Sequence, residues 1–288
     1  MKDIYDILQQ WKKRSAYECA LATVVRVQGS SYRRPGARML ICKNGKTVGS
    51  LSAGCLEEEV AMRAREVLRT GEPAMMTFDT RRRFGCAGKI DIYIERISDN
   101  FFSDLAADLE ARRSHLAITR FERNEFVQEI HPPVRVLVFG DGPDNAPLGS
   151  LGRLLGWEVM ETADPNSISI KLDQWTAAVV KSHNYGRDFV ALQKLLPLNL
   201  RYVGLIGPRK RRDQLMNALL DLGITINAGF FAPAGLDLGA ETPEEIALAI
   251  VSEIQRVFAA GSGDSLRERK AAIHKSAPVP DAWQKLPQ

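Results

Sequence analysis

The chain has 288 residues, of which 45% are hydrophobic and 26% charged, with 39 Lys and Arg against 35 Asp and Glu for a net charge of +4. That balance excludes a wholly disordered chain, and the length suits two domains of ordinary size or one large one. No apolar run reaches the roughly 20 residues a bilayer span requires, and the N-terminal MKDIYDILQQWKKRS lacks an apolar signal core, so a cytoplasmic protein is expected.

Ile4, Leu8 and Trp11 put an apolar stripe on a first helix. Strand-like segments follow at Cys19–Val27, Ala37–Cys42 and Thr47–Gly49, with Asn44-Gly45 as a hairpin turn whose two residues tolerate positive φ. A helix is expected from about Leu56 to Leu68, closed by Gly71 and Pro73. Lys89–Ile97 alternates apolar and polar residues as a half-buried strand does, and Leu116–Phe121 and Phe126–Ile130 are further strands flanking Asn124-Glu125. Residues 1–130 therefore read as a mixed α+β domain. The four cysteines, Cys19, Cys42, Cys55 and Cys86, show no C-x-x-C spacing, so neither a disulfide framework nor a structural zinc site is expected. Cys19 and Cys42 lie inside strand patterns and read as packing residues.

His131-Pro132-Pro133 marks a stiff connection and the expected domain boundary. Beyond it, Val134–Phe139 is a compact apolar run leading into Gly140-Asp141-Gly142 and a helix to about Leu155. Strands near Trp157–Thr162, Ala177–Val180 and Tyr202–Ile206 follow, with a helical stretch from Phe189 to Leu196. This alternation predicts an α/β, Rossmann-like parallel-sheet domain over 131–260. Thr242-Pro-Glu-Glu245 opens a long helix, Thr as N-cap and Glu245 completing a capping box. Residues 261–288 read as a C-terminal tail.

Several clusters could carry chemistry. Residues 1–130 hold 22 basic and 18 acidic side chains and the remainder 17 of each, so the whole positive excess lies in the first part. Arg33, Arg34, Arg38 and Arg81–Arg83 supply much of it, as solvated loops or as a seat for a small anion. Nucleic acid is not expected, because the basic groups lack interleaved aromatics. In Gly49-Ser-Leu-Ser-Ala-Gly-Cys-Leu-Glu57, Cys55 sits where a helix begins, a setting that binds anions and activates thiols. Cys86 is likewise set between glycines in Phe84-Gly-Cys-Ala-Gly88, beside cations; the plain alternative for both is an inert core cysteine.

The Gly140–Gly142 turn between strand and helix suits a dinucleotide phosphate, and Asp164 lies at the spacing of a ribose-binding acid. Asn145 at the third glycine position, with Asp141 and Asp144 nearby, counts against tight NAD(P) binding. His183-Asn-Tyr-Gly-Arg-Asp188 and Gly207-Pro-Arg-Lys-Arg-Arg212 follow strands, so both belong at the carboxyl edge of the sheet where ligands bind. The second could meet phosphate through Arg209 or form an exposed first helical turn.

Taken together these stretches resemble the XdhC/CoxI family, accessory proteins of molybdenum hydroxylases such as xanthine dehydrogenase. The resemblance is carried by Gly29-Ser-Ser31 with Arg34-Pro-Gly-Ala-Arg-Met39, the Cys55 and Cys86 motifs, Ser182-His183 through Asp188, Tyr202–Gly207 with its arginines, and Gly235-Leu-Asp-Leu-Gly-Ala-Glu-Thr-Pro-Glu-Glu-Ile246. It runs collinearly from about Tyr17 to Phe258. This chain has Ala53 and Ala87 where the family usually has Gly, and Pro208 where it commonly has Ser.

The resemblance implies an accessory chaperone rather than a turnover enzyme. Such a protein binds molybdenum cofactor as transient cargo, supports its sulfuration and inserts it into an apo-molybdenum hydroxylase. Implied partners are that hydroxylase, a cysteine desulfurase-type sulfur donor and a second copy of the chain. Cys55 and Cys86 fall on the family's Gly-Cys motifs and are the candidate cofactor and molybdenum contacts, with Ser52, Gly54 and Arg38 beside them. Gly140, Gly142, Asp164, His183, Asp188 and Arg209 are the candidate contacts of the second domain. The competing readings are an NAD(P)-dependent oxidoreductase and a nucleotide-responsive binding protein without catalysis.

Overall fold

The structure is a computed structural model and describes residues 2–13, 18–29, 31–79, 88–97, 99–167 and 171–270. Cys86, the Arg81–Arg83 run and the end of the tail lie outside the described residues. The described chain divides into two compact units, one ending at Pro132 and the other beginning at Pro133. Among the described residues no helix is long and apolar enough to cross a membrane.

The first unit is built on a five-stranded antiparallel sheet. Its strands are β1 (Cys19–Gly29), β2 (Arg38–Cys42), β3 (Thr47–Gly49), β4 (Ala74–Asp79) and β5 (Gly88–Arg96), in the order β3-β2-β1-β5-β4. Alternation sorts β5 between two faces: Ile90, Ile92 and Ile94 turn to one side, Asp91, Tyr93 and Glu95 to the other. The isoleucine side joins Ala20, Ala22, Val24, Met39 and Ile41 under α2 (Glu57–Thr70), whose Val60, Ala64, Val67 and Leu68 form its buried stripe. The opposite side is covered by α1 (Lys2–Lys12), α3 (Asp99–Glu110) and the hairpin of β6 (His115–Phe121) and β7 (Asn124–Ile130). With both faces covered, the central β1 is buried over seven consecutive residues instead of alternating. The Asn44-Gly45 hairpin joins β2 to β3 as the sequence predicts, with Gly45 at φ +86° and the Asn44 side chain accepting the Lys46 N–H at 3.0 Å.

One expectation is corrected here. Cys19 and Cys42 do not merely pack: the register of β1 on β2 sets them directly opposite, Cα atoms 4.1 Å apart, and they form a disulfide. A sequence separation of 23 hid a cross-strand pair.

The second unit holds a five-stranded parallel sheet of β8 (Arg135–Phe139), β9 (Glu158–Thr162), β10 (Thr176–Val180), β11 (Tyr202–Leu205) and the short β12 (Phe230–Phe231). The order is β12-β11-β10-β8-β9, so the direction of winding reverses between β8 and β10. Helices α4 (Asn145–Leu154) and α7 (Pro243–Ala259) bury against one face, α5 (Tyr185–Leu195) and α6 (Arg209–Asp221) against the other. This is the doubly wound arrangement that the strand–helix alternation predicts, and it opens a crevice at the carboxyl ends of β8 and β10.

The long Gly235–Ile246 motif turns out to serve architecture. Thr242 caps α7 and Glu245 completes the capping box, accepting the Thr242 N–H at 2.9 Å. Backbone N–H groups of Thr242 and Glu241 hold the Glu245 carboxyl below its ordinary range. The Gly235 N–H reaches the buried Glu253 carboxylate at 2.8 Å, and the Tyr202 hydroxyl donates to the same oxygen at 2.8 Å. Burial, then the Glu253 charge, push Tyr202 well above the usual tyrosine range. Thr242→Ala is expected to cost about 1 kcal/mol, the usual worth of a side-chain N-cap, as a lowered midpoint in urea unfolding of the full chain.

Candidate functional site

Gly49 ends β3 at φ +87°, where a Cβ would lie 2.3 Å from the Arg38 carbonyl, so glycine is what lets the chain turn past β2. Leu51 and Leu56, both fully buried, pin the two ends of the following loop, and Ala53, Gly54 and Cys55 between them are exposed. Glu57, first residue of α2, reaches back over the loop. Its Oε1 accepts the N–H groups of Leu51 (3.1 Å) and Ser52 (2.8 Å); its Oε2 accepts the Ser52 hydroxyl (2.6 Å) and the Leu56 N–H (3.1 Å). The Ser52 oxygen in turn accepts from Gly54 N (3.1 Å) and Leu56 N (3.3 Å). Burial alone would raise the Glu57 pKa; the hydroxyl of Ser52 and the surrounding backbone N–H groups outweigh it and hold the carboxyl below its ordinary range.

Of the backbone donors at and before the helix start, those of Leu51, Ser52 and Leu56 already serve the chain's own carboxylate. What the loop offers outward is sulfur. Cys55 is a free, exposed cysteine whose Sγ lies 3.5 Å from the Ser52 hydroxyl oxygen.

Arg38 lies away from solvent, 2% exposed, beside Thr23 of β1, which in turn neighbours Tyr93 of β5. Its Nη1 donates to the Gly36 carbonyl at 3.2 Å and to the Gln128 side chain. Its Nε and Nη2, like the Thr23 hydroxyl, are buried without a hydrogen-bond partner among the described residues. Burial lowers the Arg38 pKa to about 10, partly countered by Glu95, so the side chain stays charged at neutral pH. Burial pushes Glu95 up and Arg38 pulls it back. This arginine is an interior cation rather than part of an exposed basic loop.

In the second unit, Gly140 adopts φ +138° at the end of β8, and a Cβ there would meet the Lys181 carbonyl at 2.7 Å. Lys181, 1% exposed at the end of β10, sends its ammonium to Asp144 Oδ1 at 2.7 Å and Asn145 Oδ1 at 2.5 Å. Asn145 Nδ2 donates to the Gly140 carbonyl (3.0 Å) and to Glu161 Oε2 (2.8 Å). The turn that would receive a dinucleotide phosphate is thus filled by the protein's own ion pair and amide, with Gly142 beside Asp144. Its side chains do not fit a pyrophosphate.

Asp164 Oδ1 accepts the backbone and side-chain N–H of Asn166 at 2.8 and 3.0 Å, and it lines a cavity of 510 Å³ with Asn184, Gly186 and Arg187. His183 is exposed in a left-handed turn at φ +54°, just before Asn184 caps α5. Asp188 is fully buried: Oδ1 accepts the Ser182 N–H at 3.0 Å and hydroxyl at 2.5 Å, and Oδ2 pairs with Arg211. Arg209 is exposed on the first turn of α6.

Within the first unit, then, the structure brings Ser52, Gly54 and Cys55 together and sets Arg38 apart in the interior. Within the second it brings Gly140 and Gly142 to one crevice and commits Asp188 to an internal clamp. Sequence reasoning missed Glu57, Lys181 and Arg211. Arg211 had a signal: it stands one helical turn before Leu215 and two before Leu219, the buried residues of α6, so it belongs to the inward face. Among the described residues no three His, Cys, Asp or Glu side chains group as a metal site.

Comparison with known proteins gives a consistent picture. Residues 13–79 match the XdhC and CoxI family, and residues 136–254 match the XdhC Rossmann domain. A Bacillus subtilis strain 168 protein, named as a probable subunit of xanthine dehydrogenase, is 31% identical over 82% of this chain and 92% of its own length. The molybdenum cofactor insertion chaperone PaoD of Escherichia coli K12 is 24% identical over 82% of each chain. The crystal structure of a protein described as a xanthine dehydrogenase from Bacillus halodurans superposes with a TM-score of 0.78 at 22% identity, covering 92% of this chain and 98% of the other.

Proposed function

Since the chain belongs to the XdhC and CoxI family, we propose that it carries molybdenum cofactor as cargo and delivers it to an apo-molybdenum hydroxylase of the xanthine dehydrogenase kind. The observation that carries this reading furthest is Cys55. An exposed thiol stands on a loop shaped by the Ser52–Glu57 hydrogen bonds, inside the stretch that matches the family. Thiolate sulfur is a soft ligand suited to a metal already held by a dithiolene, and it can leave again when the cargo moves on. The name of the Escherichia coli relative, an insertion chaperone, supports the same role.

In this reading Cys55 touches the cargo, Ser52 and Gly54 shape the approach, and Cys86 is the second candidate contact. Sulfuration by a cysteine desulfurase-type donor belongs to the interval in which the cargo rests on the chain. Homodimerisation is part of the proposal. The nicotinamide alternative is disfavoured by Lys181, Asp144 and Asn145, which occupy the phosphate turn.

The test is an anaerobic titration of the purified chain with molybdenum cofactor, NADH and NADPH in parallel, for wild type, Cys55→Ala and Cys86→Ala. Stoichiometric cofactor binding, weakened about tenfold or more by losing a contacting thiol, is the expected result. Nicotinamide binding without retained molybdenum would overturn the proposal.

A further inference from the structure

Glu57 carries negative charge at a helix start, where a carboxylate is welcome for electrostatic reasons alone. Its geometry goes well beyond that. One oxygen gathers the N–H groups of Leu51 and Ser52, and the other gathers the Leu56 N–H and the Ser52 hydroxyl. These contacts span both buried anchors of the loop, and the Ser52 oxygen extends them to Gly54 and touches the Cys55 sulfur. Gly54, at φ +107°, has open space where a Cβ would lie, and hydrogen bonds tie this exposed stretch to the buried anchors Leu51 and Leu56.

We propose that Glu57 is a positioning residue, which fixes the shape of the loop over residues 51–56 and so sets where the Cys55 thiol is presented. This rests on the reading of Cys55 as a cargo contact. The Glu57 carboxylate takes the Leu51, Ser52 and Leu56 N–H groups for the loop itself, beside the exposed sulfur. The role depends on side-chain length and acceptor placement more than on charge, and that separates it from a simple dipole effect.

The experiment compares Glu57→Gln, Glu57→Asp, Glu57→Ala and Ser52→Ala in the full chain. Two quantities are read: molybdenum retained per chain after anaerobic gel filtration with purified molybdenum cofactor, and the rate at which iodoacetamide alkylates Cys55, followed by peptide mass. Gln keeps the length and one carbonyl oxygen for Leu51 and Ser52 but sets an NH2 donor against the Leu56 N–H, so Glu57→Gln is expected to fall between wild type and Glu57→Ala in cargo retention. Asp is charged but one methylene short, so Glu57→Asp joins Glu57→Ala with a loss of about tenfold or more, as small misplacements of a binding group produce. The alkylation rate departs from wild type in the same order.

Asp outperforming Gln, or Ala matching wild type, would overturn the proposal. Should Glu57→Ala fail to fold, Ser52→Ala carries the test: it removes the hydroxyl link and is expected to weaken cargo retention, and equality with wild type in both readouts would sink the idea. A wild type that retains no molybdenum defeats the cargo reading by itself, while the order of alkylation rates still judges Glu57.

Discussion

Asp188→Ala is expected to destabilise the second unit by about 3–5 kcal/mol, the range found when one member of a buried ion pair is removed. Asp188 is 0% exposed, and its two oxygens satisfy the Ser182 backbone and hydroxyl and the Arg211 guanidinium. Alanine strands the Ser182 N–H and the Arg211 guanidinium, while the Ser182 hydroxyl keeps the Asn184 carbonyl at 3.1 Å. The Arg211 side chain is 16% exposed and its Nε has no hydrogen-bond partner among the described residues, so the guanidinium has little access to water. The clamp also ties the end of β10 to α5 and α6, so its loss loosens three elements together. Asp188→Asn keeps an acceptor for the Ser182 N–H but gives up the charge, and belongs between wild type and Ala. Urea unfolding of the full chain, followed by the fluorescence of Trp157 and Trp175, measures the difference. A cost below about 1 kcal/mol, together with weakened ligand binding, would return Asp188 to the role of a ligand contact.

At the crevice between β8 and β10 the two halves of one ion pair should respond unequally. Lys181 is 1% exposed at its side chain and Asp144 31%. Asp144→Ala leaves an ammonium in the interior facing only the Asn145 oxygen, at a cost of about 3 kcal/mol. Lys181→Met replaces the ammonium by an apolar chain of similar length, and Asp144 can turn to water; the residual cost, about 1 kcal/mol, is the Asn145 acceptor left without its donor. The double variant should lie close to Lys181→Met, since the second change then removes a carboxylate that has nothing left to neutralise. Equal costs for the two single variants would show that the pair is more open to solvent than its geometry says.

Asp188 and Asp144 could be named from the sequence but not assigned, and Lys181 was missed. Asp188 was legible as part of a motif at the carboxyl edge of the sheet, and its placement there follows from the strand that precedes it. Its commitment to Ser182 and Arg211 was not legible, because Arg211 lies 23 residues away and only the packing of α6 beside α5 brings it in. The same holds for Lys181 and Asp144, separated by 37 residues and joined because β8 and β10 are neighbours in the sheet. Arg38 read as one cation among several in a basic segment; burial under the β6–β7 hairpin made it an interior charge.

The features legible in the order of residues are local. The Thr242–Glu245 capping box, the Asn44-Gly45 turn, the alternation along β5 and the strand–helix rhythm of the parallel sheet all appear as written, because each depends on residues within a few positions of one another. Two elements went unseen: β4, Ala-Met-Met-Thr-Phe-Asp, has no clean alternation, and α3 was passed over although Ser98-Asp99-Asn100 precedes an apolar stripe of Phe101, Phe102, Leu105 and Leu109. The Cys19–Cys42 disulfide, the reversal of winding between β8 and β10, and the commitment of Asp188 and Glu57 to internal hydrogen bonds come from tertiary packing. The reason is physical. Periodicity and turn chemistry act through neighbouring backbone dihedrals, whereas pairing and burial depend on strand order and register, which bring together residues that the chain keeps far apart.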